Sequence, residues 1–318
     1  MSTPDYRSII VTPSEAGMRV DAYLSARFAL LSRKEASAAI RNGEVKSTSR
    51  SLKPSSLLRV GEEIRIWISG LAPGEKPPFP TLLHQDDWTL AFDKPPGMLC
   101  HPVGSRFHWG VINLARELFP DEDLHLAHRI DKETSGVLLL GRSHTANRHL
   151  KSVFQDRLAT KTYLAIVRGE PSWDSLQVDA PIGDDSDSPI RIKQGVTSSG
   201  QAAQTDLEVL QRGPSMTLVR ARPRTGRTHQ IRVHLAHVGH PIVGDKIYGQ
   251  PPEVFISLFE GWDLPGRDEL LVHPRHCLHA ESLGVPLPNE TQLKIQAPMP
   301  SDMATLLGSQ PPIDSDTL

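Results

Sequence analysis

Apolar residues recur at Val20, Tyr23, Leu24 and Phe28, one face of a 3.6-residue period, and predict a helix. A second helix is predicted from Ser32, with Glu35 at capping-box spacing. Ala36, Ala39 and Ile40 continue its apolar face, and Asn42-Gly43 stops it. Ile64, Ile66 and Ile68 alternate and predict a strand over 63–68, with a shorter one near 57–58. These elements form a small α+β module over 17–70. Residues 1–16 are mostly polar and expected to be disordered. Residues 71–80, Leu-Ala-Pro-Gly-Glu-Lys-Pro-Pro-Phe-Pro, read as a linker.

A larger domain is expected over 81–307. Strands are predicted at 82–84, 89–92, 159–169, 176–180, 277–285 and 292–296, and a hairpin from 204–210 and 216–221 turning at Arg212-Gly213-Pro214. Val137–Leu140 is a short apolar run rich in branched residues, so it reads as a buried strand. Helices are predicted at 113–119, at 143–154 capped by Ser143, at 229–238 and at 301–307. Residues 181–200 are expected to form an acidic, serine-rich loop, and 308–318 a disordered tail. Strands outnumber helices and often follow one another directly. That predicts an α+β fold with a mixed, largely antiparallel central sheet and flanking helices; a doubly wound sheet needs regular β–α alternation, which is absent.

Composition narrows the class. The chain has 318 residues, 38% hydrophobic, and two cysteines, Cys100 and Cys277, which give neither a disulfide framework nor zinc spacing. No apolar run reaches the ~18 residues needed to span a bilayer, and no signal peptide is recognisable. A cytoplasmic protein, away from membranes, is expected. Net charge is −2, but its distribution is uneven. Residues 1–76 hold 12 Lys+Arg against 8 Asp+Glu, and between Val209 and Gly244 stand six arginines and no acid. Arg33, Lys34, Arg41 and Lys46 make a basic face on the second helix and the turn after it. Arg220, Arg222, Arg224 and Arg227 have no acid beside them and are expected to contact phosphate. Such patches can steer an anionic ligand.

Chemistry concentrates in three segments, 128–136, 161–163 and 224–234. His128, Arg129 and Asp131 precede a small-residue turn, Thr134-Ser135-Gly136, and then the Val137 strand. A glycine there suits a positive φ or a close backbone approach. The alternative is a solvated turn with a local Arg–Asp pair. An aspartate is a competent nucleophile or base toward a sugar carbon, and a guanidinium beside it keeps it ionised. Tyr163 offers a ring and a hydroxyl. His234, His237 and His240, and His273, His276 and His279, recur every three residues, but no His-Glu-x-x-His or CxxC accompanies them, so no metal site is assigned. Lys161 is expected to be a structural ion-pair partner near the site, and Cys100 a core residue.

Several motifs in order carry a resemblance. His128-Arg-Ile-Asp131-Lys-Glu-Thr-Ser-Gly, Lys161-Thr-Tyr163 and Arg224-Thr-Gly-Arg-Thr-His-Gln-Ile-Arg232-Val-His234 resemble the successive motifs of the RluA-type pseudouridine synthases. Asp93-Lys-Pro-Pro-Gly97, His240-Pro-Ile-Val-Gly-Asp-Lys-Ile-Tyr-Gly249 and Leu278-His-Ala280 support it. The likeness covers about residues 82–298. Residues 17–70 resemble the S4 RNA-binding domain, although Lys46-Ser-Thr-Ser-Arg stands where Val-Asn-Gly is usual.

The resemblance implies an RNA pseudouridine synthase. Asp131 would be the essential carboxylate acting on the ribose of a target uridine, by attack at C1′ or by proton removal. Arg232 would hold Asp131 by a salt bridge, and Tyr163 would assist loss of the C5 proton. Arg129 would fill the gap left by a flipped uridine. His128, Thr134, Arg224, Arg227, His229 and Gln230 stand as substrate-binding candidates. The reaction is an isomerisation, so no cofactor is implied. The expected partner is RNA, ribosomal in preference to transfer RNA, and the expected state a monomer. A non-catalytic RNA-binding protein is the competing reading.

Overall fold

The computed structural model describes residues 6–27, 33–67, 79–101, 110–260, 262–289 and 291–308. The expected Ser32 cap, most of the 71–80 linker and nearly all of the tail lie outside them. The chain divides into two compact units: residues 1–79 with 98–122, and residues 80–97 with 123–318. The division interrupts the domain expected over 81–307, since 98–122 joins the first unit.

The first unit begins with strand β1 (Tyr6–Ile10), where a disordered segment is expected. The difference has a simple cause. Ile9 and Val11 are buried, and β1 pairs antiparallel with β3, so this short apolar run completes a sheet. Helices α1 (Val20–Arg27) and α2 (Arg33–Arg41) and strands β2 (Val45–Ser47) and β3 (Glu63–Trp67) follow. The sheet order is β1-β3-β2. Val20, Leu24, Ala36, Ala39, Ile40, Ile64 and Ile66 form its core, as their spacing predicts. The strand expected at 57–58 is reduced to one bridge, Leu57 to Arg19.

In the second unit β4 (Thr81–Gln85) and β5 (Thr89–Lys94) form a hairpin. Helix α3 (Val111–Leu118) belongs to the first unit. The second unit resumes with β6 (His125–Leu126), β7 (Ser135–Gly141), α4 (His144–Gln155), β8 (Thr160–Arg168) and β9 (Ser175–Asp179). The expected loop 181–200 instead holds a short hairpin, β10 (Ile182–Asp184) against β11 (Gln194–Val196). Strands of three residues are too short to alternate visibly. Then come β12 (Gln204–Arg212), β13 (Met216–Pro223), α5 (Gln230–His237), α6 (Pro252–Glu260) and α7 (Arg267–Leu271). The described chain closes with β14 (Leu278–Pro286), β15 (Gln292–Gln296) and α8 (Ser301–Leu306). Among the described residues no helix is long and apolar enough to cross a membrane.

The main sheet runs β4-β5-β7-β14-β8-β13-β12-β9, with β15 beside β14 and β6 beside β7. Every pairing is antiparallel except β7 with β14. The fold is thus the expected mixed, mostly antiparallel sheet with flanking helices. Strand β7 is buried along its whole length, which is why it reads as a continuous apolar run. Ser143 caps α4, its side chain accepting the Ala146 N–H at 3.1 Å. At Gly136 both expected reasons for glycine hold. Its φ is +107°, and a Cβ would stand 2.2 Å from the Ala280 carbonyl oxygen, so only glycine lets β7 meet β14 here.

Candidate active site

The loop between β6 and β7 is pinned by its own backbone and by buried side chains. The Lys132 carbonyl accepts from the Gly97 N–H and from the ammonium of the fully buried Lys94, each at 2.9 Å. Glu133 pairs with Lys246 and accepts the His276 N–H at 3.2 Å. The Thr134 hydroxyl meets His276 Nε2 at 2.8 Å, and the Thr134 N–H closes on the Asp131 carbonyl at 3.2 Å. Asp131 is therefore presented from a rigid support, with about a third of its side chain (32%) exposed.

Helix α5 brings Arg232 to this carboxylate. Arg232 Nη1 donates to Asp131 Oδ2 at 2.9 Å. Its Nε and Nη2 grip Asp245 at 2.7 and 2.9 Å. Asp245 is fully buried and accepts the N–H groups of Ile247 and Tyr248 on Oδ1. The Arg232 guanidinium carbon lies 5.0 Å from the centroid of the Tyr248 ring, a cation–π contact. Burial alone would strip charge from all three groups. For Arg232, Asp245 first and then Asp131 overcome that and hold its pKa above the ordinary value. Asp245 is correspondingly held well below its ordinary range, chiefly by Arg232. At Asp131 burial favours the neutral acid, but the charge of Arg232, with His229 and His276, keeps the pKa below the usual carboxylate value. The result is an ionised, half-exposed carboxylate held in one orientation.

His229 stands next to it, with Nε2 3.9 Å from Asp131 Oδ2 and Nδ1 2.9 Å from the Tyr248 hydroxyl. Tyr163 is half-buried on β8. The register row Gly136–Ala280–Tyr163 places it two strands from the start of β7, about 10 Å across the sheet by ordinary strand spacing. Arg129 is exposed, and no ion pair ties it to a described residue.

Other expected site residues are committed elsewhere. His128 stacks on Phe154, ring centroids 4.9 Å apart, and its Nε2 accepts the Leu139 N–H at 3.2 Å. Burial, then the charge of Lys161, pushes its pKa down to about 3. It supports β7 instead of facing the carboxylate. Thr134 is occupied by His276. Gln230 is buried and bridges Thr225, the Arg227 N–H, Gln204 and Thr205, so it holds the turn that leads into α5. Arg227 is bonded to Gln201 and to the Ala202 carbonyl.

The arginine run also differs from expectation. Strand β12 supplies acids across the hairpin, and β14 one more: Arg224 pairs with Asp206 at 2.7 Å, Arg222 with Glu208 at 2.9 Å, and Arg220 lies 3.7 Å from both Glu208 and, on β14, Glu281. The compensating carboxylates are adjacent in space and distant in sequence. Lys161, expected to form an ion pair, donates instead to the Thr225 carbonyl at 2.8 Å, and burial lowers its pKa to about 8. The spaced histidines are likewise used singly. His234, for example, sits between the Thr205 hydroxyl and the Ala180 carbonyl. Among the described residues no group of three His, Cys, Asp or Glu is arranged to hold a metal. Cys100 is buried, as a core residue should be.

Sequence reasoning missed Asp245 and Tyr248, although both stand in the Gly-Asp-Lys-Ile-Tyr-Gly segment. The available signal was Arg232 itself. An arginine inside Gln-Ile-Arg-Val-His-Leu is flanked by apolar residues and, once buried, needs more than one carboxylate oxygen.

A ten-strand mixed sheet that presents an arginine-held aspartate at the mouth of a central strand defines a class of enzyme, and comparison with known proteins identifies it. The family described as RNA pseudouridylate synthase matches residues 89–237. The chain is 35% identical over 263 residues to the ribosomal large subunit pseudouridine synthase C of Escherichia coli (strain K12), covering 78% of this chain and 81% of the relative. It is 32% identical over 311 residues to the protein of that name from Haemophilus ducreyi, covering 93% of each. Among solved structures, Human RNA Pseudouridylate Synthase Domain Containing 1 aligns with a TM-score of 0.57 and 26% identity, over 69% of this chain and 83% of that one. The chain belongs to the RNA pseudouridylate synthase family, in its RluA-type branch, and is an isomerase that makes pseudouridine in RNA.

Proposed function

We propose that the chain isomerises uridine in large-subunit ribosomal RNA, with Asp131 as the essential carboxylate. The observation that carries the site assignment is the chain of contacts Asp245–Arg232–Asp131. It keeps one partly exposed aspartate ionised and held in one orientation. The choice of RNA is supported by the names of the bacterial relatives, which are ribosomal large subunit synthases.

Asp131 acts on the ribose, either by attack at C1′ or by removal of a ribose proton. The N1–C1′ bond breaks, the uracil turns, and a C5–C1′ bond forms as the Asp131 ester is displaced or, in the other route, as Asp131 returns the ribose proton. C5 then loses its proton with help from Tyr163, N1 gains one, and the atoms balance without an oxidant or a transferred group. Arg129, exposed at the loop, fills the place of the flipped nucleotide. Residues 17–70 act as an S4-like RNA-binding module, with exposed Arg33, Arg41 and Lys46 on its basic face, and 81–307 as the catalytic domain. The protein works as a cytoplasmic monomer.

The test is a pseudouridine map of host RNA with and without the gene, repeated with Asp131→Asn. Loss of the same few large-subunit sites in both altered strains is expected, with RNA affinity of the purified variant within about twofold of the parent. Sites lost from transfer RNA instead would redirect the substrate assignment. A map unchanged by Asp131→Asn would reject the role given to the carboxylate.

A further inference from the structure

His229 adopts φ 57° and ψ 16°, the left-handed region that residues with a side chain seldom occupy. It is the residue before α5, a position whose side chain normally caps the helix, yet it makes no capping bond. The strained backbone turns the imidazole inward instead, between Tyr248 and Asp131. Strain of this kind marks places where orientation matters.

The hydrogen bonds fix which ring nitrogen carries the proton. The Tyr248 hydroxyl accepts the backbone N–H of Gln194 at 3.0 Å. Its own hydrogen then needs an acceptor, and among the described residues the partner in reach is His229 Nδ1, at 2.9 Å. Burial raises the Tyr248 pKa, so the hydroxyl keeps its hydrogen. Burial and the Arg232 charge push the His229 pKa down to about 4, so the ring is neutral at working pH. With Nδ1 accepting, the proton sits on Nε2.

That Nε2–H faces Asp131 Oδ2 at 3.9 Å, too far for a direct bond. The gap suits one intervening oxygen, which can lie about 2.8 Å from both atoms. Such an oxygen must accept from nitrogen and donate to carboxylate, as a water does in the free site and as a hydroxyl does when substrate displaces it. We infer that His229 and Asp131 together bind the 2′-hydroxyl of the target ribose, with His229 Nε2–H donating to it and Asp131 accepting from it. His229 is thereby a substrate-positioning residue that reads the one group distinguishing RNA from DNA. The inference rests on the reading of Asp131 as the carboxylate that acts at the ribose, since C1′ is the neighbour of C2′.

The test pairs enzyme variants with two short RNAs that carry the mapped target as uridine or as 2′-deoxyuridine. His229→Asn tolerates the left-handed backbone, but its amide ends near the Nδ1 position, so the donor at Nε2 is lost. His229→Gln places an amide nitrogen near Nε2. The quantity read is kcat/KM for the ribose RNA over that for the deoxy RNA. Both rates come from one enzyme sample, so any loss of folded protein cancels. A neutral hydrogen bond of ordinary strength predicts a ratio about tenfold smaller for His229→Asn than for the parent, with part of it regained by His229→Gln. A parental ratio in His229→Asn, or an equal loss in both variants, would overturn the inference. Full activity of Asp131→Asn on the ribose RNA would instead overturn the reading beneath it.

Discussion

Arg232 lies between two carboxylates, but its fork grips Asp245: Nε and Nη2 stand 2.7 and 2.9 Å from the two oxygens of that fully buried side chain. Asp131 receives the remaining nitrogen. The buried pair is thus the anchor, and the pair with Asp131 depends on it. Removing one partner of a buried, hydrogen-bonded ion pair costs on the order of 3–5 kcal/mol. Asp245→Ala should lose that much stability in chemical denaturation, and Asp245→Asn somewhat less, because the amide oxygen still accepts the backbone N–H groups. In Asp245→Asn the single-turnover rate should fall with RNA affinity retained. The folded pKa of Asp245 is depressed, so its stabilisation is present above the unfolded value of about 4 and is lost as pH falls toward the folded one. The acid side of the stability curve should therefore flatten in Asp245→Asn. A variant with parental stability and slope would remove Asp245 from this role.

Much of this arrangement is legible in the sequence, and the rest is hidden for identifiable reasons. The buried run Val137–Leu140, the Ser143 cap and the glycine at 136 each report a local requirement, so each can be read locally. Asp131 and Arg232 are visible because their motifs are contiguous. Asp245 is not, because its function depends on the fold returning a loop to α5. His128 and Gln230 look like site residues, since polar side chains in a reactive motif resemble one another until their partners are known. In the structure they hold backbone. Strand β1 is missed because an apolar run of three residues at a polar terminus has no visible partner until β3 is found.

The arginines of β13 and the turn after it illustrate the same limit and carry a prediction. Arg220, Arg222 and Arg224 face Asp206, Glu208 and Glu281, so three cations meet three carboxylates. Such a surface has little net attraction for phosphate, and exposed pairs of this kind contribute about 0–1 kcal/mol each to stability. Arg222→Ala and Arg224→Ala should leave stability within about 1 kcal/mol of the parent and leave RNA affinity and its salt dependence nearly unchanged. Losing one phosphate contact would instead lower the slope of log affinity against log salt by about one unit. A salt titration of RNA binding decides between these outcomes, and a reduced slope in either variant would restore the phosphate contact that the sequence suggests.

Lys161 gives a prediction of opposite sign to the carboxylates. Burial lowers its pKa to about 8, and among the described residues no carboxylate compensates. Between that value and the unfolded pKa of about 10.4, the unfolded chain binds the proton more tightly than the folded one. Stability should therefore rise with pH across this window and carry its full penalty below it. In Lys161→Met the group is gone, and the rise of the parent relative to the variant should amount to about 1–3 kcal/mol. Lys161→Arg also loses the rise, but for a different reason: the guanidinium cannot shed its proton. It should be the less stable of the two variants at every pH, since it keeps the buried charge that Met removes. Urea denaturation at pH 7 to 10 measures all three curves. Parallel curves for the parent and Lys161→Met would show that the ammonium is solvated and would overturn the depressed pKa assigned to burial.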